Sequence, residues 1–145
     1  MGRYLGIDYG LVRVGLALSD PLAIIAQPWQ TIKNEGLDSL ASRICSIIEE
    51  NDISDLVFGK PLHLSGDEGI LCVQITTLSN KIAERKPRVG LHFQDERFTS
   101  VEATRAIHAT GGKPSYEKGR VDAVAASLIL STFLDSISKG EALET

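Results

Sequence analysis

The apolar residues of this chain change their period between Lys33 and Leu37, and that change limits the fold more than any other feature. Before it the period is two. Arg13 to Ser19 alternates cleanly, with Val14, Leu16 and Leu18 on one face and Arg13, Gly15, Ala17 and Ser19 on the other, the pattern of a strand with two distinct surfaces. Tyr4 to Asp8 reads as a short strand closed by Tyr9-Gly10. Ala26 to Lys33 reads as a weaker third strand after Asp20-Pro21, and Pro28 assigns it to an edge because proline cannot donate to a ladder. Strands joined by such short turns form an antiparallel meander.

After the change the period is helical. Leu37, Leu40, Ala41, Ile44, Ile47 and Ile48 share one helix face. Leu56 to Gly59 is a short apolar strand of the kind buried on both faces. Leu71, Ile75, Leu78 and Ile82 mark a second helix, and Val89 to Gln94 the next strand, ending at Asp95-Glu96. Thr99 and Glu102 form a capping box that opens a third helix. Thr110 to Gly119 reads as a glycine-rich loop, Val121 to Leu134 as a last helix, and Ser136 to Thr145 as a frayed tail. The order βββαβαβαα predicts an α/β fold, a single five-stranded mixed sheet flanked by helices. With 145 residues and no internal repeat, the expectation is one domain over residues 1–135 and a flexible tail over 136–145.

Charge and cysteine usage narrow the function. There are 15 basic against 19 acidic residues, a net charge of -4, which argues against a protein held on nucleic acid by bulk positive charge. Any nucleic acid is expected to be gripped locally, weakly and in a salt-sensitive way. Cys45 and Cys72, the only cysteines, lie far apart in apolar-periodic segments, so small buried thiols in a reducing compartment are expected. No apolar run approaches the roughly 18 residues of a membrane span, and the N-terminus has no signal-peptide profile. The expectation is a soluble cytoplasmic protein.

Three acids stand at element ends. Asp8 closes an apolar strand, and Gly6 and Gly15 nearby leave room for a close approach. Taken alone, Asp8 reads as a turn cap. Asp95 and Glu96 follow another apolar strand, where either can pair with Arg97 or begin a loop. Asp122 heads an alanine-rich helix, where an acid favours the helix dipole by about 0.3–1 kcal/mol. Were these acids to converge at one rim, their repulsion would call for a divalent cation. Oxygen-only donors suit magnesium or manganese, and such ions serve phosphodiester hydrolysis.

These residues also carry a resemblance. Gly6-Ile7-Asp8-Tyr9-Gly10 through Ala17, with Ser19-Asp20, resembles the opening of the YqgF/RuvX family. So do Gly59-Lys60-Pro61-Leu62 with Ser65-Gly66, Asp95 through Ala103, and Lys118 through Ala126. The four motifs stand in the family's order and the resemblance spans all but the last ten residues. It implies an RNase H-like fold, akin to RuvC resolvases, and a nuclease of pre-16S rRNA 5′-end maturation. Matched by position, Asp8 is the first-strand acid, Glu96 the middle acid with Asp95 beside it, and Asp122 the acid of the final helix. The resemblance makes these three catalytic and metal-binding, with Mg2+ or Mn2+ as cofactor, and suggests a homodimer. Lys60 and His63 depart from the family's usual Leu and Asn, and alter substrate contact rather than the acids.

The remaining charges are read beside that resemblance. Arg13 and Arg97 lie close in sequence to candidate acids, and either phosphate binding or ion pairing suits them. Lys113, Lys118 and Arg120 face one acid, Glu117, around Tyr116, a grouping that suits phosphate contact and stacking. Arg13, Arg97, Lys118 and Arg120 are the candidate substrate contacts. His92 reads as an ordinary strand residue and Trp29 as a packing residue. The expected substrate is precursor 16S rRNA, with branched DNA, as for a Holliday junction resolvase, as the runner-up. A non-catalytic RNA-associated factor and an actin-like ATPase are the rivals, the latter weakened because such enzymes need two domains of this kind.

Overall fold

Five strands form one sheet in the order β3-β2-β1-β4-β5. The computed structural model describes residues 2–61, 66–96 and 117–144. Along the chain these are β1 (Arg3–Asp8), β2 (Arg13–Ser19), β3 (Ala26–Lys33), α1 (Leu37–Glu50), β4 (Ile53–Lys60), α2 (Gly66–Arg85), β5 (Gly90–Asp95) and α3 (Glu117–Glu144). The meander β1-β2-β3 is antiparallel, whereas β4 and β5 run parallel to β1. Parallel neighbours need crossovers, and α1 and α2 supply them. The mixed five-stranded sheet expected from the change of period is the one observed.

Each face of the sheet has its own apolar layer. Val14 and Leu16 of β2 join Leu5, Ile7, Leu56 and Phe58 against α1 and α2. On the other face Ala17 and Val57 meet Ala125, Ala126, Ile129, Leu130 and Leu134 of α3. The alternation read in β2 therefore divides the two layers correctly. Small residues let α3 approach closely: a Cβ on Gly6 would lie 2.8 Å from both the Ala126 carbonyl oxygen and the Leu130 Cβ.

The last helix differs most from expectation. It begins at Glu117, inside the stretch read as a loop, and continues past Leu134 to Glu144 through the stretch read as a tail. Extending an existing helix adds a hydrogen bond per residue without a new nucleation cost, and one glycine such as Gly119 costs only about 1 kcal/mol. Ile137 also packs on the second apolar layer, which carries the helix beyond its alanine-rich part. By length and composition alone, Arg120–Ser138 is apolar enough to cross a membrane, with mean hydropathy 1.5, contrary to the reading of the sequence. In this fold its apolar residues cover the sheet. The helix expected from Thr99 and the loop over 110–116 lie outside the described residues.

Candidate active site at the carboxyl ends of the strands

Because β1, β4 and β5 are parallel, their carboxyl ends meet at one rim, which carries Asp8, Lys60, Asp95 and then Glu96. Asp8 lies directly opposite Gly15 of β2. On its other side, Ile7 pairs with Phe58, so one residue further brings Asp8 level with Gly59. The central acid is thus flanked by two glycines. Both are roofed from the α3 side. A Cβ on Gly15 would lie 2.0 Å from the Asp122 carbonyl oxygen, and one on Gly59 would lie 2.9 Å from Glu96 Oε1. Neighbouring strands are about 4.8 Å apart, so the Glu96 carboxylate reaches over Gly59 towards the level of Asp8. The same face of the sheet thus carries Asp8, the Glu96 carboxylate and the start of α3.

Asp8 and Glu96 are only 3% and 8% exposed. Two carboxylates this deep are costly as anions without compensating positive charge or donors. A pair of oxygen donors at a strand rim fits a hard divalent cation. The third acid is engaged differently, since Arg13 Nε donates to Asp122 Oδ2 at 2.9 Å, with the two side chains 40% and 20% exposed. Of the alternatives open for Arg13, ion pairing is the one observed. Among the described residues, no three carboxylate, imidazole or thiol groups close on a single point. The residues fit a two-carboxylate cradle, with Asp122 beside it in the hands of Arg13.

A polar network fixes the turn that follows Asp8. The Tyr9 hydroxyl donates to Gln74 Oε1 of α2 at 2.5 Å and accepts from Asn34 Nδ2 at 3.0 Å. Asn34 Nδ2 also donates to the Gly10 carbonyl at 2.9 Å, while Asn34 Oδ1 accepts from the Gly36 N–H at 3.1 Å. Gly36 adopts φ +109° just before α1, a conformation that favours glycine. One asparagine therefore ties the turn beyond Asp8 to the start of α1. Its separation of 24 residues from Gly10 hides it from local pattern reading.

The other candidates are dispersed. Arg97 lies outside the described residues, and Lys118 falls in the first turn of α3, where only the backbone is described. Arg120 is exposed and lines a groove of about 660 Å³ between α3 and β3, together with Ala123, Trp29 and Thr31. Trp29, read as a packing residue, is 37% exposed on the edge strand. Lys60 Nζ lies 5.0 Å from the centroid of the exposed Phe93 ring, which stacks on the buried Phe58. His92 is more than an ordinary strand residue: its Nε2 is 2.9 Å from Asp55 Oδ1 and its ring packs against Phe133 at 4.8 Å. That pair sits at the amino-terminal end of β4 and β5, away from the acids. Cys45 is buried as expected, and burial raises its thiol pKa. Cys72 is only half-buried and donates to the Pro61 carbonyl.

The model of the RuvX family, described as Holliday junction resolvase, matches residues 2–136. A "Putative pre-16S rRNA nuclease" of Roseiflexus sp. (strain RS-1) is 38% identical over 137 residues, covering 93% of this chain and 95% of that protein. One of the same name from Koribacter versatilis is 40% identical over 136 residues, covering 92% and 87%. Among solved structures, T. thermophilus RuvC in complex with a Holliday junction substrate superposes with a TM-score of 0.62 at 12% identity, covering 95% of this chain and 96% of that one. That likeness is one of fold, the RNase H-like arrangement of a five-stranded mixed sheet between helices. With its family model spanning nearly the whole sequence and relatives this similar over almost their full length, the chain belongs to the RuvX family.

Proposed function

We propose that this protein is a metal-dependent endonuclease that hydrolyses phosphodiester bonds of precursor 16S rRNA in the maturation of its 5′ end. The observation that carries the reading is the nearly buried Asp8 and the Glu96 carboxylate on one face of the rim, with Gly59 between them. The names of the relatives at 38% and 40% identity point to the same substrate, and such a substrate puts the reaction in the cytoplasm.

Asp8 and Glu96 would hold Mg2+ or Mn2+, with Asp122 as a third ligand once it leaves Arg13. Bound there, the ion would supply an activated water and stabilise the leaving oxygen. The protein's own groups do the rest. Gly15 and Gly59 let the start of α3 and the Glu96 carboxylate close down on the sheet beside Asp8, which keeps the three acids near one another. Tyr9 and Asn34 hold the turn after Asp8 against α1 and α2, which keeps that carboxylate at the rim. Arg13 compensates Asp122, and with Asp122 on an ion its guanidinium would be free to meet a phosphate oxygen. Arg120 and Lys118 at the start of α3, with Arg97 after Glu96, would position the phosphates on either side.

The test compares wild type with Asp8→Asn on precursor 16S rRNA and on a four-way DNA junction, with and without Mg2+. Magnesium-dependent cleavage of the RNA by wild type alone is expected. Cleavage of the junction alone would replace the substrate with branched DNA. Equal cleavage by both proteins would remove Asp8 from the chemistry, and no cleavage of either substrate would leave an RNA-associated factor without activity. Sedimentation of the same samples checks the homodimer the family suggests.

A further inference from the structure

The pairing of β2 with β3 slips between Leu16 and Ala17: Leu16 faces Gln30, Ala17 faces Pro28, and Trp29 is the extra residue. Such a bulge re-aims its side chain, and bulges recur beside active sites. Here the indole is 37% exposed and lines the groove of about 660 Å³ whose opposite wall is Arg120 and Ala123 of α3. Gln27, Pro28, Gln30 and Thr31 complete that lining. The position matters as much as the composition. Thr31 pairs with Gly15, the residue roofed by Asp122, and Ala123 follows Asp122 in the chain. The groove therefore lies next to Asp122 and two strands from Asp8.

Its chemistry suits one class of ligand. An exposed indole face offers stacking to any base. A guanidinium has only donors and prefers phosphate or carboxylate oxygens. Side-chain amides both donate and accept, as the edges of bases require. Pro28 removes a backbone donor from the same strand, so addition of a peptide strand to this edge is disfavoured. In a chain of net charge -4, Arg120 and the partly exposed Arg13 place positive charge beside Asp122.

We propose that the β3–α3 groove is a nucleotide subsite, in which an unpaired RNA nucleotide next to the scissile phosphate stacks its base on Trp29 and rests its phosphate on Arg120. The inference rests on the endonuclease reading and specifies which part of the substrate is gripped. Paired bases already have both faces covered, so a duplex cannot use this platform, whereas an unpaired base can.

Trp29 is the only tryptophan of the chain, so its emission reports on the groove alone. The experiment titrates the full-length Asp8→Asn protein with end-labelled single-stranded RNA and with a blunt RNA duplex. Tryptophan emission and the anisotropy of the label are followed together. Quenching by the single strand and not by the duplex is expected. Trp29→Ala should weaken single-strand binding roughly 10- to 100-fold, with Trp29→Phe retaining most of it. Arg120→Ala should lower the slope of log affinity against log salt by about one. Binding of the single strand with Trp29 emission unchanged overturns the proposal. So does equal affinity of Trp29→Ala and the parent, or no binding of single strands. Cleavage by wild type is measured separately. Cleavage without quenching defeats the subsite and leaves the nuclease; quenching without cleavage defeats the nuclease and leaves the subsite.

Discussion

Gly15 of β2 lies so tightly beneath Asp122 of α3 that an added Cβ would stand 2.0 Å from the Asp122 carbonyl oxygen and 2.3 Å from its carbonyl carbon. The obstacle is backbone, which cannot rotate aside as a side chain can. Gly15→Ala must therefore push the start of α3 off the sheet and carry Asp122 with it. Overpacking of this kind costs about 3 kcal/mol, and cleavage should fall together with stability. Gly69 of α2 is the contrasting site, because nothing lies within 4 Å of its added Cβ. Gly69→Ala should stabilise by about 0.5–1 kcal/mol through helix propensity and a less free unfolded chain. Urea unfolding of the two variants reads both signs.

The legible part of this fold was its periodicity. Val14, Leu16 and Leu18 of β2 share the α1–α2 face, and Ala17 turns to α3, as their alternation requires. Pro28 marks an edge strand, and β3 is one. Elements whose order depends on packing were not legible. Glu117 to Gly119 and the residues beyond Ser136 have a polar, glycine-containing composition that suits a loop or tail, yet they continue a helix already formed. The acids of the candidate site were legible as residue types at element ends. Its pairings were not, because Arg13 meets Asp122 across 109 residues and His92 meets Asp55 across 37. Trp29 could not be read as exposed either, since a bulge in a β-ladder leaves no mark on an alternating pattern.

The Arg13–Asp122 pair should have a modest coupling in stability. Both side chains keep contact with solvent, at 40% and 20% exposure, so a double-mutant cycle with Arg13→Ala and Asp122→Asn should give about 0.5–1 kcal/mol without Mg2+. If Asp122 becomes a metal ligand, that coupling should shrink in saturating Mg2+, because the carboxylate then has another partner. A coupling unchanged by Mg2+ would keep Asp122 with Arg13 throughout.

Asp20 should make the stability of the β2–β3 turn depend on acid. Its carboxylate accepts the backbone N–H groups of Ile25 at 2.7 Å, Ile24 at 2.8 Å and Leu22 at 3.2 Å. The bond from Ile25 is the largest influence holding its pKa below the usual 3.8, and the bonds from Ile24 and Leu22 add to it against burial, which acts the other way. A carboxyl lowered by folding contributes stability above its unfolded value, near pH 4, and loses it as pH falls through the folded value. Wild type should thus exceed Asp20→Asn in melting temperature at pH 7, and the gap should close as the pH falls below the usual 3.8 and through the folded value. A constant gap across that range would assign the turn's stability to its backbone bonds alone.

Asp8 ties the proposed chemistry to a measurement that requires no substrate. A cation held by Asp8 and Glu96 binds the folded chain and not the unfolded one, because only folding brings β1 and the end of β5 to the same rim. Linkage then sets the size of the effect: at a hundred times the dissociation constant, an ion stabilises the native state by about 2.7 kcal/mol. Wild type should therefore melt later as Mg2+ is raised. Asp8→Asn and Glu96→Gln should each lose most of that rise, since an amide is a poorer ligand for a hard cation than a carboxylate. Arg13→Ala should keep the rise or enlarge it, because it releases Asp122 to the ion. An Mg2+-dependent shift identical in wild type and both acid variants would place the ion elsewhere. Cleavage that survives in Asp8→Asn despite a lost shift would show that the bound ion serves the fold rather than the reaction.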